Sequence, residues 1–218
     1  MDNLKNKCIM FKNIKRLIAL KSESKVHYAQ RANSSQDINA ECKQLHDTFD
    51  KSIPTDLVIK VGVRSIYVNK FVLQNCSSYF KKVDRFITSE DGQDVIRLDQ
   101  FSYVTVYAYL KYIYTGDINL VSLDKKFDLL IMAEKFKEIF LINSCYKKIK
   151  EEITKTNIIS VYRTAQTYNN KIVQEYCFEF FIENTTHVIN TDSFKELDEY
   201  TRSTFINKAK EVYGYYKI

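Results

Sequence analysis

Between Leu57 and Val61, apolar Leu57, Ile59 and Val61 alternate with Val58 and Lys60. The chain then turns through Gly62 to Ser65, and Ile66, Tyr67 and Val68 resume the apolar pattern. A period near two broken by a glycine-containing turn predicts a β-hairpin, with Gly62 able to take a positive φ. Asn69 is placed to cap a short helix carrying Val72, Leu73 and Cys76, and Ser77 or Ser78 to cap another carrying Tyr79, Phe80 and Val83. Alternation returns in Asp94 to Leu98 and predicts a third strand. The run from Phe101 to Tyr114 is apolar around almost its whole circumference, which predicts a helix buried on most sides, ended by Thr115 and Gly116.

After an extended piece at Ile118 to Leu120, the apolar positions recur at steps of three and four and predict only helices. Their core faces read Phe127, Leu130, Ala133 and Phe136 or Lys137, then Ile142, Cys145, Ile149 and Ile153. Further faces follow at Ile158, Val161, Ala165 and Tyr168, at Ile172 or Val173 with Tyr176, Cys177 and Phe180, and at Phe205, Ala209 and Val212. The fold class predicted is α+β, with a mixed domain over residues 41–154 and an all-helical segment over residues 155–218.

Residues 1–40 read differently. Leu4, Cys8, Phe11, Ile14 and Ile18 would share one helical face, and Lys5, Lys7, Lys12, Lys15, Arg16 and Lys21 meet only Asp2. From Ser22 to about Ala40 polar residues dominate, as in a linker. Cys42, Leu45 and Phe49 then align on a short helix that Pro54 ends. The first 40 residues read as a basic extension and linker, whose apolar face would suit a membrane surface, a transit peptide or docking on the rest of the protein. Nothing approaches the apolar length of a membrane span, so the default is a soluble, intracellular protein.

Composition narrows the function. The 218 residues are 45% hydrophobic, enough for a sizeable core, and four glycines, one proline and no tryptophan favour helix over a repetitive β architecture. Five scattered cysteines without a C-x-x-C pair suggest neither a disulfide framework nor a zinc site, and a reducing compartment fits. Cys42 and His46 are half a metal site at best. The net charge of +6 is spread among acidic residues beyond the first 22 positions, and no zinc-finger spacing occurs, so nucleic acid is not an expected partner. No G-x-S-x-G, Walker loop or Rossmann glycine pattern is present. The reading is a non-enzyme with no cofactor.

The order strand, strand, helix, helix, strand, buried helix, Tyr-Thr-Gly, helix, helix resembles the BTB/POZ domain. The resemblance is carried by DLVIKVG (Asp56–Gly62), VLQNCSSYF (Val72–Phe80), VIRLDQFSYVTVYAYLKYIYTGDI (Val95–Ile118) and LLIMAEKF (Leu129–Phe136). Asn157 to Asn184 resembles the start of a BACK domain, the helical segment that follows BTB in kelch-like proteins. The Lys-, Ile-, Asn- and Tyr-rich wording is similar to poxviral members of that family. Neither tryptophan nor a diglycine occurs, so no kelch repeat is expected in this sequence.

The resemblance implies site residues. In BTB dimers an acidic residue at the strand start and a basic one at the helix start share a buried charged pocket, and Asp56 and Lys70 match those positions. Asn69 stands where the family usually has His. BTB-BACK proteins recruit cullin-3, the scaffold of a ubiquitin ligase, through a hydrophobic-x-Glu motif that aligns with Thr88, Ser89 and Glu90. Thr88 stands in place of the usual Met or Leu, and Phe86 or Ile87 would substitute by a shift in register, with Phe80 as a further apolar anchor. The implied function is a dimeric cullin-3 adaptor in the cytoplasm of a virus-infected host cell. The alternative is a decoy that heterodimerises with other BTB proteins or sequesters cullin-3.

Overall fold

A computed structural model describes residues 49–50, 55–83, 87–88, 94–120 and 122–214. The chain divides into two compact units, residues 1–120 with 128–142 and residues 121–127 with 143–218. The basic segment, Cys42 and His46 lie outside the described residues.

The first unit holds a four-stranded sheet in the order β2-β1-β4-β3. Strands β1 (Leu57–Val61) and β2 (Arg64–Val68) form the expected antiparallel hairpin, in register from Val61 opposite Arg64 to Leu57 opposite Val68. The turn is only Gly62 and Val63. Gly62 sits at φ +58 with no atom within 4 Å of where a Cβ would stand, so its glycine is required by backbone conformation and not by space. Its N–H donates to Asp99 Oδ1 at 2.7 Å.

Strand β4 (Asp94–Arg97) runs parallel to β1 and pairs on its other side with the two-residue β3 (Ile87–Thr88), which the periodicity did not announce. As a central strand, β1 buries Leu57, Val58 and Ile59 in succession, the continuous burial that strands covered on both faces show.

Helix α1 (Lys70–Cys76) begins as predicted, with Asn69 Oδ1 accepting from Val72 N at 3.3 Å. The second predicted helix is one 3-10 turn, Phe80–Lys82. Of the three apolar positions proposed for it only Phe80 is buried, so there is no apolar face to extend it. Helix α2 (Tyr103–Thr115) starts after Phe101 because Ser102 Oγ caps it, accepting from Thr105 N at 3.2 Å. Gly116 ends it in the left-handed region at φ 71, its N–H donating to Tyr112 O at 2.7 Å. Buried Thr105, Val106, Ala108, Tyr109, Leu110, Ile113 and Tyr114 make α2 the centre of the unit.

The division between units falls within α3 (Leu123–Phe136) and α4 (Ile139–Glu151). In the first unit Phe136 is buried, and Lys137 leaves the helix at φ 58. Leu141 takes the buried place expected of Ile142 in the first unit, and in the second Cys145, Ile149 and Ile153 are buried as expected.

The second unit adds α5 (Ile158–Thr167), α6 (Lys171–Val188), α7 (Asp192–Lys195) and α8 (Glu199–Gly214). Its core is an aromatic cluster. Phe205, fully buried, lies within 4.8 to 6.1 Å of the rings of Tyr162, Phe178, Phe181 and Phe194. The inward stripe of α6 is therefore Val173, Cys177, Phe178 and Phe181, one step removed from the predicted Tyr176 and Phe180. Val212 is exposed, so the core face of α8 closes at Ala209. No helix among the described residues is long and apolar enough to cross a membrane.

Candidate interaction site

Three registers bring one charged cluster to one end of the sheet. Leu57 is opposite Val68 on β2 and opposite Asp94 on β4, and Asp94 is opposite Thr88 on β3. The start of β1, the start of α1, the start of β4 and the end of β3 consequently meet.

Asp56, exposed just before β1, accepts a hydrogen bond from the backbone N–H of Lys70 at 2.7 Å and so satisfies a donor at the start of α1. The Lys70 ammonium turns to Asp94 Oδ2 at 2.7 Å. The other carboxylate oxygen of Asp94, Oδ1, accepts from Thr88 Oγ1 at 3.1 Å. The bond from Lys70 is the main reason the Asp94 carboxyl is held below its ordinary value, with Thr88 adding to the effect. Tyr114 Oη accepts from the N–H of Asn69 at 2.7 Å and ties the α1 cap to the central helix. Asn69 thus serves as a helix cap on both its side chain and its backbone.

Behind this edge lies a polar network that fixes the 3-10 turn. Ser77 Oγ and Tyr109 Oη both donate to Glu138 Oε1, at 2.6 and 2.8 Å. Ser77 Oγ also accepts from Tyr79 N at 3.2 Å and Phe80 N at 3.1 Å. Burial, and after it the charge of Glu138, pushes the Tyr109 hydroxyl far up. Phe80 is fully buried, edge-on to Tyr79 at 5.1 Å and stacked on Tyr109 at 6.2 Å. Its ring belongs to the packing beneath the surface and is not presented to a partner. Burial, with the Glu138 charge second, also pushes the Cys76 thiol up to about 11, and burial pushes Cys177 up to about 12, so both stay protonated at neutral pH and are poor nucleophiles.

Of the residues singled out in the sequence, Asp56 and Lys70 are brought together through the Lys70 backbone N–H, while the Lys70 ammonium pairs with Asp94. Thr88 lies on the exposed face of β3, and Ile87 precedes it on the same strand. Phe86 and Glu90 lie outside the described residues. The sequence reading missed Asp94, which joins Lys70 to Thr88, and the Ser77, Tyr109 and Glu138 network. Alternation marks Asp94 only as the first residue of a strand, and the network links positions up to 61 residues apart.

A BTB/POZ domain family model matches residues 45–153. Kelch-like protein 24a of Danio rerio is 26% identical over 167 residues, covering 74% of this chain and 28% of that protein. Kelch-like protein 28 of Mus musculus is 26% identical over 168 residues, covering 75% and 29%. An ankyrin repeat, bromo and BTB domain-containing protein of Dictyostelium discoideum is 25% identical over 138 residues, covering 60% and 17%. The chain spans less than a third of the length of these curated relatives. Among solved structures, the BTB domain of zebrafish PATZ1 aligns with a TM-score of 0.46 and 22% identity over 57% of this chain and all of that one.

Proposed function

Because the chain belongs to the BTB/POZ domain family, a family of protein-interaction domains that is generally non-enzymatic, we propose that it is a dimeric adaptor that binds cullin-3 and modulates a ubiquitin ligase. The single observation that carries this reading is the family match over residues 45–153, within which an exposed acid and a base stand side by side at the sheet end. In the isolated chain the Lys70 side chain keeps 30% of its exposure and Asp56 is open to solvent, so a second copy has charged groups to cover there. Once such charges are covered by a second copy, removing one of them leaves its partner buried and uncompensated, which makes the interface sensitive to either substitution. Two copies then present two docking loops, and avidity adds to whatever each loop contributes.

The loop beginning at β3 is the proposed cullin-3 surface. Thr88 spends its hydroxyl on Asp94, so the apolar anchor falls to Phe86 or Ile87, and Glu90 supplies the acidic contact. The setting proposed is the cytoplasm of an infected host cell.

The test is calorimetric titration of the purified chain with the cullin-3 N-terminal domain, alongside Phe86→Ala and Glu90→Ala. Submicromolar binding that weakens in either variant is expected. Absence of heat at micromolar concentrations, with the chain folded and dimeric, overturns the cullin-3 assignment and leaves the dimer to be explained by another partner.

A further inference from the structure

The two surfaces of the proposed adaptor are joined by one carboxylate. Asp94 Oδ2 holds the ammonium of Lys70 at 2.7 Å, in the dimer pocket, and Asp94 Oδ1 holds the hydroxyl of Thr88 at 3.1 Å, in the strand from which the docking loop departs. Among the described residues, the strand is held by short backbone pairing beside this tether. Strand β3 is two residues long and lies at the sheet edge, paired through Ile87 opposite Val95 and Thr88 opposite Asp94. So short an edge strand has little backbone pairing to hold it, and segments of that kind open at the low end of the local stability scale. A side-chain tether adds to that pairing through Thr88.

A carboxylate is suited to the task because it accepts on both oxygens while staying planar, so its orientation is shared between the two donors. An ammonium on one oxygen fixes the rotamer that offers the other oxygen to Thr88. Loss of the ammonium frees the carboxylate to turn toward water, and Thr88 loses its partner.

We infer that Asp94 is a positioning residue that couples the Asp56 and Lys70 pocket to the placement of β3, so that a second copy seated on the pocket sets where Thr88 and its strand lie. The inference rests on the reading of that pocket as a self-association surface, but the link between Lys70 and Thr88 is a property of the single chain. By reciprocity, whatever loosens β3 weakens the pocket by the same factor.

The experiment is amide hydrogen exchange on the full chain, followed over the peptide that spans β3 and β4, for wild type, Lys70→Met, Thr88→Val, Thr88→Ser and the Lys70→Met/Thr88→Val double variant. Exchange needs no partner, so it separates failure of the link from failure of the adaptor reading. Expected is a rise of about five-fold in each of Lys70→Met and Thr88→Val, no further rise in the double variant, and wild-type exchange in Thr88→Ser, which keeps the hydroxyl. A purely structural role for Thr88 would not be moved by Lys70. Wild-type exchange at β3 in Lys70→Met, or single effects that multiply in the double variant, overturns the inference. Sedimentation of Thr88→Val supplies the second arm. A dimer about five-fold weaker supports the coupling, and an unchanged dimer with accelerated β3 exchange refutes the link to the pocket.

Discussion

Tyr109 and Glu138, 29 residues apart, are joined by a 2.8 Å hydrogen bond from the tyrosine hydroxyl to Oε1, an oxygen that also accepts from Ser77. Tyr109 is fully buried, so the bond is shielded from water and its loss is not repaired by solvent. Tyr109→Phe is expected to cost about 1–2 kcal/mol, and Ser77→Ala about 1–3 kcal/mol because it also strands the N–H of Phe80. Urea unfolding with an unchanged slope is the measurement. The double variant is expected to lose less than the sum, since both side chains meet on one oxygen.

Phe80 carries the apolar side of the same turn. With no exposed surface and with Tyr79 and Tyr109 against its ring, Phe80→Ala leaves a cavity that the 3-10 turn cannot close, at a cost of about 3–5 kcal/mol. Phe80→Leu, which keeps most of the volume, is expected to cost less than half as much in the same unfolding experiment.

The charged cluster makes a prediction about pH. Asp94 is held below its ordinary 3.8 chiefly by the hydrogen bond from Lys70, so its contribution to folding is present at pH values above 3.8 and is lost as pH falls through its lower native value. A carboxyl titration of Asp94 followed by NMR is expected to give a midpoint under 3.8, moving upward in Lys70→Gln and less so in Thr88→Val. An Asp94 midpoint unaffected by Lys70→Gln would show that the ion pair does not persist in solution.

In the helical unit, Lys126 keeps only 4% of its side-chain exposure and pairs with Glu152, which keeps 47%. The two partners are unequal. Glu152→Ala withdraws a carboxylate from a buried ammonium and is expected to destabilise by about 1.5–3 kcal/mol. Lys126→Met replaces the buried charge with a chain of similar length and is expected to be near neutral. Thermal unfolding of both variants tests the order.

Elements whose reason is local were legible in the residues. The hairpin follows from alternation and Gly62, the start of α1 from Asn69, and the end of α2 from Gly116, each needing only neighbours in the chain. What escaped depends on contacts distant in sequence. Strand β3 is two residues long and exists because β4 offers an edge, so no period announces it. In α6 the expected Val173 and Cys177 are buried, but Phe181 replaces Phe180 because a run of aromatics fits two helical faces until Phe205 selects Phe178 and Phe181. In the candidate site, Asp56 and Lys70 were reached by resemblance. Asp94 was missed because a carboxylate at a strand start has no signature until the register places it beside Lys70 and Thr88. Phe80 reads as an apolar anchor under the resemblance, and an aromatic beside polar serines does not reveal that its ring faces the core.

The central claim is that the charged sheet end is a self-association surface. Sedimentation equilibrium of the full chain, beside Asp56→Asn and Lys70→Met, tests it most directly. The account predicts a species of twice the 25.8 kDa chain mass for the wild type and a shift toward monomer in both variants. A folded wild-type chain that stays at 25.8 kDa at tens of micromolar, or variants that remain fully dimeric, contradicts it.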